Sequence, residues 1–340
     1  MDTLVDDIGS FPLPPNISKE PFSRAYQLSR EAILQGEDIT KNDFLKDNFC
    51  NVVLDSFKKK VDSGLDVVNF PQHYDGMKQV GDVLHGAMEA GSFLVEEKKA
   101  FLPEVCLINQ QSKALSEELG KKIMLRVSIF GPLEQYLLEV GKNPYEDVLG
   151  ELAETIRRFA KNSILNSKYV ETKVISIDEP SFGFNNIQVA SDVICKVFEK
   201  AFDFQSAISQ IHLHSVAGVH DLLGVKNLDV LSFEYAASPG NIDSVPKSML
   251  EKSNKQIRVG VSRTDIDAIF AELYEKGIAE PSAEQLVEPE ELIKKRFRFA
   301  KEKYGELMTF TGPDCGLGGW PNQEAAELLL KRTVKAVKTV

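Results

Sequence analysis

Residues 172–215 read TKVISIDEPSFGFNNIQVASDVICKVFEKAFDFQSAISQIHLHS, and this stretch decides the fold. It begins with a short apolar run, Thr172–Ile177, continues with an amphipathic stretch, Ala190–Phe202, and ends with a second apolar run, Gln210–His214. A strand, a helix and a strand in this order predict a βαβ unit with two parallel strands. Acidic residues follow the first predicted strand, and two histidines end the second.

The same alternation of short apolar runs and longer amphipathic stretches extends along the whole chain. Six further runs predict strands at Thr3–Ile8, Leu65–Asn69, Lys122–Ile129, Val230–Glu234, Gln256–Val261 and Leu307–Thr311. Predicted helices between them include Asp43–Asp62, Asp147–Ser167, Thr264–Lys276, Glu288–Lys303 and Asn322–Val340. Eight such units predict an α/β fold of the (β/α)8 TIM barrel type, with residues 1–340 as a single catalytic domain. The long connection between the second and third strands predicts an extra helical or lid segment around residues 75–120.

The alternative architecture is an open, doubly wound sheet. A dinucleotide-binding sheet requires G-x-G-x-x-G directly after its first strand. This chain has Gly9, Ser10, Phe11 and Pro12 there, and a Walker A motif is not found in the sequence. The barrel is therefore favoured.

The composition limits the classes of partner. A net charge of −11 repels phosphate backbones and argues against nucleic acid. The sequence contains no run of about 18 apolar residues, so it predicts no membrane-spanning helix. The first residues, MDTLVDDIGSFPLPP, lack the basic and apolar regions of a secretory signal, so we expect a cytoplasmic protein. The 4 cysteines include no C-x-x-C pair, which argues against a disulfide framework or a zinc ribbon.

The catalytic end of a (β/α)8 barrel is formed by the carboxyl ends of its strands, and chemically active side chains collect there. His212 and His214 are two positions apart on one predicted strand, so both project to the same face. Glu234 ends the next strand, and Cys315 lies on a turn after the last one. Nitrogen, oxygen and sulfur donors in one place suit zinc better than magnesium or calcium. The alternative interpretations are buried core histidines and a solvated glutamate at a strand end.

Asp178 and Glu179 follow the fourth predicted strand and are candidate catalytic residues. A structural interpretation makes one of them the cap of a following helix, since Asp is a good N-cap. A functional interpretation makes one of them the partner of a ligand ammonium group, and the two acids can divide these roles. Arg263, after the seventh strand, is either a partner for an acidic group of the ligand or a surface residue at a helix start.

An ordered set of short motifs resembles one known family. The set comprises IGSFP at Ile8–Pro12, IDEP at Ile177–Pro180, the H-x-H pair, the Glu after the sixth strand, and PDCGL at Pro313–Leu317. In this order the motifs resemble the C-terminal catalytic half of cobalamin-independent methionine synthase, most of all the short core members of archaea and bacteria. The related superfamily includes uroporphyrinogen decarboxylase and corrinoid-linked methyltransferases that act on coenzyme M.

The resemblance implies a site as well as a fold. It implies a zinc ion bound by His212, His214, Glu234 and Cys315, and homocysteine as the thiol that receives a methyl group. It places Ser10 and Asp178 at the amino-acid end of homocysteine, with Gln72 as a further substrate-binding residue. The resemblance therefore implies a zinc-dependent methyltransferase of methionine biosynthesis.

Two positions depart from the family pattern. His214 stands where the family usually has Cys, and Gln72 stands where it has a Glu that binds substrate. Exchanging a thiolate for a neutral imidazole makes the metal centre less electron-rich, so the bound thiol becomes a weaker nucleophile. The family's long N-terminal half, which helps to bind methylfolate, has no counterpart in this sequence. We therefore expect a non-folate donor, such as methylcobalamin or a methylated corrinoid protein.

Three other functions stay open on the sequence. The acceptor could be coenzyme M or another thiol, with a corrinoid-dependent donor. The same ligand set could also serve a zinc hydrolase, with metal-bound water as nucleophile. A non-catalytic barrel that docks a corrinoid protein is the third alternative.

Overall fold

The computed structural model describes residues 2–185 and 187–340, and its centre is a barrel of parallel strands. The strands are β1 (Leu4–Val5), β2 (Val68–Asn69), β3 (Ile123–Phe130), β4 (Val170–Asp178), β5 (Ile208–Leu213), β6 (Val230–Phe233), β7 (Gln256–Ser262) and β8 (Met308–Pro313). They pair in the order β1-β8-β7-β6-β5-β4-β3-β2. A parallel bridge between Asp6 and Val67 joins the two end strands. This sequential order confirms the predicted (β/α)8 barrel and excludes the open, doubly wound sheet.

Helices surround the barrel in the described part of the chain. They are α1 (Lys19–Leu34), α2 (Asp43–Leu45), α3 (Asn51–Asp62), α4 (Gly76–Met88), α5 (Pro103–Leu119), α6 (Pro132–Glu139), α7 (Glu146–Asn162), α8 (Ser191–Ala201), α9 (Gly240–Ser244), α10 (Lys247–Ser253), α11 (Ile266–Glu275), α12 (Ala283–Leu286), α13 (Glu290–Tyr304) and α14 (Gln323–Lys338). Short 3-10 turns occupy Ile39–Lys41, Glu97–Lys99, Val219–Leu222 and Gly305–Leu307, and a π turn occupies Lys46–Cys50. Among residues 2–185 and 187–340, no helix is long and apolar enough to cross a bilayer.

The predicted strands all exist, but β1 and β2 are much shorter than expected. The prediction gave Thr3–Ile8 and Leu65–Asn69, and each strand keeps two paired residues. One reason is a side chain that takes the place of a backbone partner: the backbone N–H of Val5 donates to Oδ2 of Asp66 over 2.9 Å. The predicted helix Asp43–Asp62 contains α2, the π turn and α3 in direct succession.

Helices α4 and α5 and a 3-10 turn lie between β2 and β3, in the segment predicted to carry extra structure. Helix α4 begins at Gly76, directly after the loop that carries Gln72. Its N-cap is Asp75, whose side chain accepts from the backbone N–H groups of Met77 and Lys78. The start of α4 is therefore fixed beside the carboxyl end of the barrel.

Charged side chains fill the middle of the barrel. The carboxylate of Asp6, directly after β1, binds Arg126 on β3 over 2.8 Å and Arg258 on β7 over 2.6 Å. Arg126 also donates to the side-chain oxygen of Gln210 on β5. All of these side chains are fully buried. Because two guanidinium groups face one carboxylate, this cluster leaves a positive charge beneath the carboxyl end of the barrel.

Candidate metal centre

Four side chains meet at the carboxyl end of the barrel: His212, His214, Glu234 and Cys315. One ligand atom from each lies within 4.8 Å of all the others. The Sγ atom of Cys315 is 3.4 Å from Nε2 of His214, and that nitrogen is 3.7 Å from Oε1 of Glu234. A tetrahedral zinc ion with bonds of about 2.0–2.3 Å holds its donors roughly 3.3–3.8 Å apart. These two spacings therefore fit a tetrahedral metal centre.

The strand register brings the ligands together. In the β5–β6 ladder His212 is opposite Ser232 and Leu213 is opposite Phe233, so His214 and Glu234 both follow the last paired residues. The side-chain amide of Asn241 donates to the backbone oxygens of His214 and Glu234, each over 2.9 Å. This side chain fixes the ends of both strands relative to each other.

The two ring nitrogens of His212 have different surroundings. Its Nδ1 atom is 3.2 Å from Oγ of Ser232, and its Nε2 atom is buried with no hydrogen-bond partner among the described residues. A metal-binding histidine commonly donates its second ring N–H to a nearby oxygen, which leaves the other nitrogen free for the metal. A buried nitrogen without a partner costs free energy. A metal ion bound at Nε2 would provide that partner.

Burial controls the protonation of the ligand group. It raises the pKa of Glu234 to about 8 and that of Cys315 to about 12, with neighbouring carboxylates adding to both shifts. It also lowers the pKa of His212 and His214, because a buried imidazolium loses its hydration. The group therefore tends toward its uncharged forms, and a bound dication would favour the thiolate and the carboxylate instead.

Asp314 connects the two loops that carry Glu234 and Cys315. Its Oδ1 atom accepts from the backbone N–H groups of Tyr235 and Ala236, each over 3.0 Å, and its Oδ2 atom accepts from that of Ala237. The side chain is fully buried. The residue directly before Cys315 thus holds the chain directly after Glu234.

A cavity of about 260 Å³ opens beside the ligand group. Its lining residues are Ile8, Gly9, Ser10, Gln72, Gly76, Met77, Phe130, Asp178, Pro180, His212, His214, Cys315 and Gly316. The candidate substrate-binding residues Ser10, Gln72 and Asp178 are all among them, as are three of the four candidate ligands. The start of the segment around residues 75–120 also borders this cavity.

Asp178 lies at the end of β4, where the register places it opposite His212. Its Oδ1 atom accepts from the hydroxyl of Ser176 over 2.6 Å. Burial raises the pKa of Asp178 to about 6, and the positive charge of Arg126 opposes this shift. Asp178 is therefore a carboxylate near neutral pH at the wall of the cavity, next to the candidate metal ligands.

Ser10 contacts the loop that carries Cys315. Its Oγ atom accepts from the backbone N–H of Gly318 over 3.0 Å, and its backbone oxygen accepts from that of Leu317 over 2.7 Å. Because the hydroxyl accepts in this bond, its own proton is available to a ligand in the cavity. Ser10 thus supports the Cys315 loop and also borders the cavity.

Glu179 points away from this cavity. Its two carboxylate oxygens accept from the backbone N–H groups of Leu133 and Glu134, over 2.9 and 2.8 Å, in the first turn of α6. An added Cβ at Gly131 would lie 2.0 Å from Oε1 of Glu179, so this approach requires glycine. The structure therefore gives Glu179 the helix-capping position, while its neighbour Asp178 faces the cavity.

Arg263 is also placed outside the cavity. Its guanidinium forms ion pairs with Asp265 and Glu272, over 2.7 and 2.8 Å. These two carboxylates pair with the guanidinium group, so its charge is not available to bind an acidic ligand. Of its two sequence interpretations, the structure supports the surface residue near a helix start.

The sequence prediction missed Asn241 as a residue that supports the site. It lies in ASPGNID, where proline and glycine indicate a turn, and the local pattern carries no sign of its partners. Those partners, the backbone oxygens of His214 and Glu234, are separated from it by 27 and 7 positions. Such contacts are set by the register of the barrel.

The geometry defines an α/β barrel with a set of candidate zinc ligands at the carboxyl ends of its strands. A solved structure that resembles it is that of a B12-independent methionine synthase from Shewanella sp. W3-18-1, in complex with selenomethionine. It aligns with a TM-score of 0.58 at 13% identity, over 100% of this chain and 98% of that chain. At this identity the similarity shows a shared barrel fold, and membership of the family stays a prediction.

The remaining comparisons give either a weak structural alignment or no match. An endo-β-1,4-mannanase from Thermotoga petrophila aligns with a TM-score of 0.44 at 10% identity, over 85% of this chain and 73% of that chain. At this TM-score the alignment indicates neither a shared fold nor a shared function. No protein-family model and no curated protein matches the chain.

Proposed function

We propose that this protein is a zinc-dependent methyltransferase that transfers a methyl group to the sulfur of homocysteine. The observation that carries the proposal is the convergence of His212, His214, Glu234 and Cys315, whose ligand atoms lie within 4.8 Å of one another beside a cavity. This donor set suits zinc, and three protein ligands already support a catalytic zinc centre.

The four side chains would hold the ion, and a zinc ion bound there would lower the pKa of a thiol that joins it. The hydrogen bond to Ser232 orients the ring of His212, so Nε2 would be free to bind the ion. Asn241 and Asp314 hold the loops of the other three ligands. During transfer, the acceptor sulfur donates an electron pair to the methyl carbon. The donor leaves with the electrons of the broken bond, and the thiol proton goes to solvent.

The wall of the cavity favours an amino acid as the acceptor. Asp178 offers a buried carboxylate to an ammonium group, and the hydroxyl of Ser10 can donate to a carboxylate. The described residues that line the cavity include no lysine or arginine. Neither a carboxylate nor a sulfonate such as that of coenzyme M would find a direct cationic partner there, so the preference for homocysteine rests on its ammonium group, which coenzyme M lacks and Asp178 can bind.

The methyl donor that we propose is methylcobalamin or a methylated corrinoid protein. The support is the imidazole of His214 in the ligand group, which takes the place of a second thiolate. A thiol bound at a less electron-rich ion is a weaker nucleophile, so it requires an activated methyl donor. Purified protein should therefore turn over methylcobalamin faster than methylfolate, and the reverse order would contradict this choice.

The experiment that tests the acceptor is X-ray absorption at the zinc edge, with and without homocysteine. We expect one zinc per chain and one sulfur neighbour, with a second sulfur joining when homocysteine is added. An unchanged metal environment would keep the metal centre but exclude homocysteine, and coenzyme M would be the next thiol to test. Absence of zinc after metal-replete preparation would contradict the proposal.

A methyl-transfer assay on the zinc-loaded protein separates the alternatives. A zinc hydrolase would bind the metal, and even a thiol, without forming a methylated thiol. A barrel that only docks a corrinoid protein would show no methyl transfer to any thiol. For a Cys315→Ser variant in these measurements, Cys106→Ser is the matched control, because Cys106 lies on α5 and is not among the candidate ligands.

A further inference from the structure

A chain of three buried polar side chains extends from the cavity into the protein. The side-chain nitrogen of Gln72 donates to Oε1 of Gln79 over 2.7 Å. The side-chain nitrogen of Gln79 in turn donates to Oε1 of Glu104 over 2.9 Å. Gln72 lies in the loop after β2, Gln79 on α4 and Glu104 on α5, and at most 5% of any of these residues is exposed.

The chain has a direction, which Glu104 sets. The Oε1 atom of Glu104 accepts from the side-chain nitrogen of Gln79, which turns that nitrogen toward Glu104. The oxygen of Gln79 then faces Gln72, and the nitrogen of Gln72 must face Gln79. The remaining atom, Oε1 of Gln72, takes no part in either of these two hydrogen bonds and is therefore available to accept another.

The direction is compatible with both protonation states of Glu104. Burial raises the pKa of Glu104 to about 8. Its Oε2 atom is buried and has no hydrogen-bond partner among the described residues. A proton on Oε2 leaves the lone pairs of Oε1 free, so Oε1 can accept from Gln79 in either state.

The free amide oxygen is close to the cavity. An added Cβ at Gly9 would lie 2.8 Å from Oε1 of Gln72, and one at Gly76 would lie 2.8 Å from its nitrogen. Gly9, Gly76 and Gln72 all line the cavity. The amide therefore fits between two residues that have no side chain, at the wall of the cavity to which Asp178 also contributes.

We propose that Gln79 and Glu104 are positioning residues that hold Gln72 as a hydrogen-bond acceptor toward the cavity, and that they thereby select thiols carrying a protonated amine. This inference rests on the proposed function and adds to it the basis of substrate selection. An ammonium group has three N–H donors, and Asp178 alone leaves some of them without a partner. The oxygen of Gln72 supplies a further acceptor, although it carries no full charge.

Two thiols and the zinc-loaded protein test the inference. The first thiol is L-homocysteine, and the second is 4-sulfanylbutanoate, which has the same chain and carboxylate but no amine. The quantity to measure is the ratio of their dissociation constants by calorimetry. This ratio reports recognition of the amine alone, because binding of sulfur and carboxylate is common to both ligands.

Gln79→Met removes both hydrogen bonds of the middle residue while keeping its length and burial. The Gln72 amide then loses its fixed orientation, so we expect the preference for homocysteine to fall about tenfold. The double variant Gln79→Glu with Glu104→Gln exchanges the two groups and preserves the direction, because Glu at position 79 can accept from both neighbours. It should retain most of the preference.

Gln110→Met is the matched control, since Gln110 lies on α5 and its amide donates to Asp38 at the surface. It should leave the ratio unchanged. The inference would be overturned if folded Gln79→Met protein kept the wild-type preference for homocysteine. It would also be overturned if the exchanged double variant lost as much of that preference as Gln79→Met. Failure of both thiols to bind the wild-type protein would instead contradict the proposed function.

Discussion

The side chain of Asn241 offers the sharpest test of how the fold supports the metal centre. Its amide nitrogen donates to the backbone oxygens of His214 and Glu234, each over 2.9 Å. A hydrogen bond of this type contributes about 1 kcal/mol net, so the two together contribute roughly 2 kcal/mol. Asn241→Ala removes both, and partial exposure of the residue makes this value an upper bound.

Losing these two hydrogen bonds lowers both the stability of the apoprotein and its affinity for zinc. The bonds stabilise the folded apoprotein, and they also hold two ligand residues in position before the metal binds. The decrease in the free energy of unfolding of the apoprotein and the decrease in zinc-binding free energy should therefore sum to about 2 kcal/mol. If the whole effect falls on zinc, the affinity decreases about 30-fold, within the range known for residues that support metal ligands.

Urea unfolding of the apoprotein measures the first quantity, and competition with a chromophoric chelator measures the second. Asn241→Asp should lower the sum of these two free energies further than the Ala variant, because it places acceptor atoms against two carbonyl oxygens. Asn227→Ala is the matched control, since its side-chain amide donates at the surface to the backbone oxygen of Glu199, which is not a candidate ligand. A combined change below about 0.5 kcal/mol would refute the assigned role.

Four further predictions concern single side chains. Cys315→Ser should abolish stoichiometric zinc after dialysis, as measured by metal analysis, with the apoprotein as stable as the wild type; retention of one zinc per chain would contradict its role. The preference for homocysteine over 4-sulfanylbutanoate should weaken as the pH falls through about 6, because Asp178 becomes protonated. Asp178→Asn should remove this dependence, and a preference independent of pH in the wild type would argue against Asp178. The free energy of unfolding should contain a component that decreases between about pH 4.5 and 8, because Glu104 keeps in the folded state a proton that the unfolded chain releases. Glu104→Gln should flatten the pH profile of urea unfolding in that window, and an identical profile would exclude this origin. Glu179→Gln should destabilise the protein by about 1–2 kcal/mol in urea, because an amide can accept only one of the two backbone bonds at α6, but zinc content should stay complete; loss of zinc would point to a direct role at the site.

The sequence by itself determined the barrel and the elements that carry the site. Apolar runs of strand length alternate with amphipathic stretches, and this periodicity is a local property that the chain displays without its tertiary structure. The positions of His212, His214, Glu234 and Cys315 relative to their strand ends could be predicted for the same reason. All four meet at one place in the structure.

The tertiary structure decided how neighbouring polar residues divide their roles. Asp178 and Glu179 are adjacent in the sequence, yet one faces the cavity and the other caps α6. The support from Asn241 and the chain from Gln72 to Glu104 join residues on different elements. Local spacing determines which face a side chain occupies within its own element. The distance to a partner on another element depends on strand register and helix packing, which exist only once the barrel has closed.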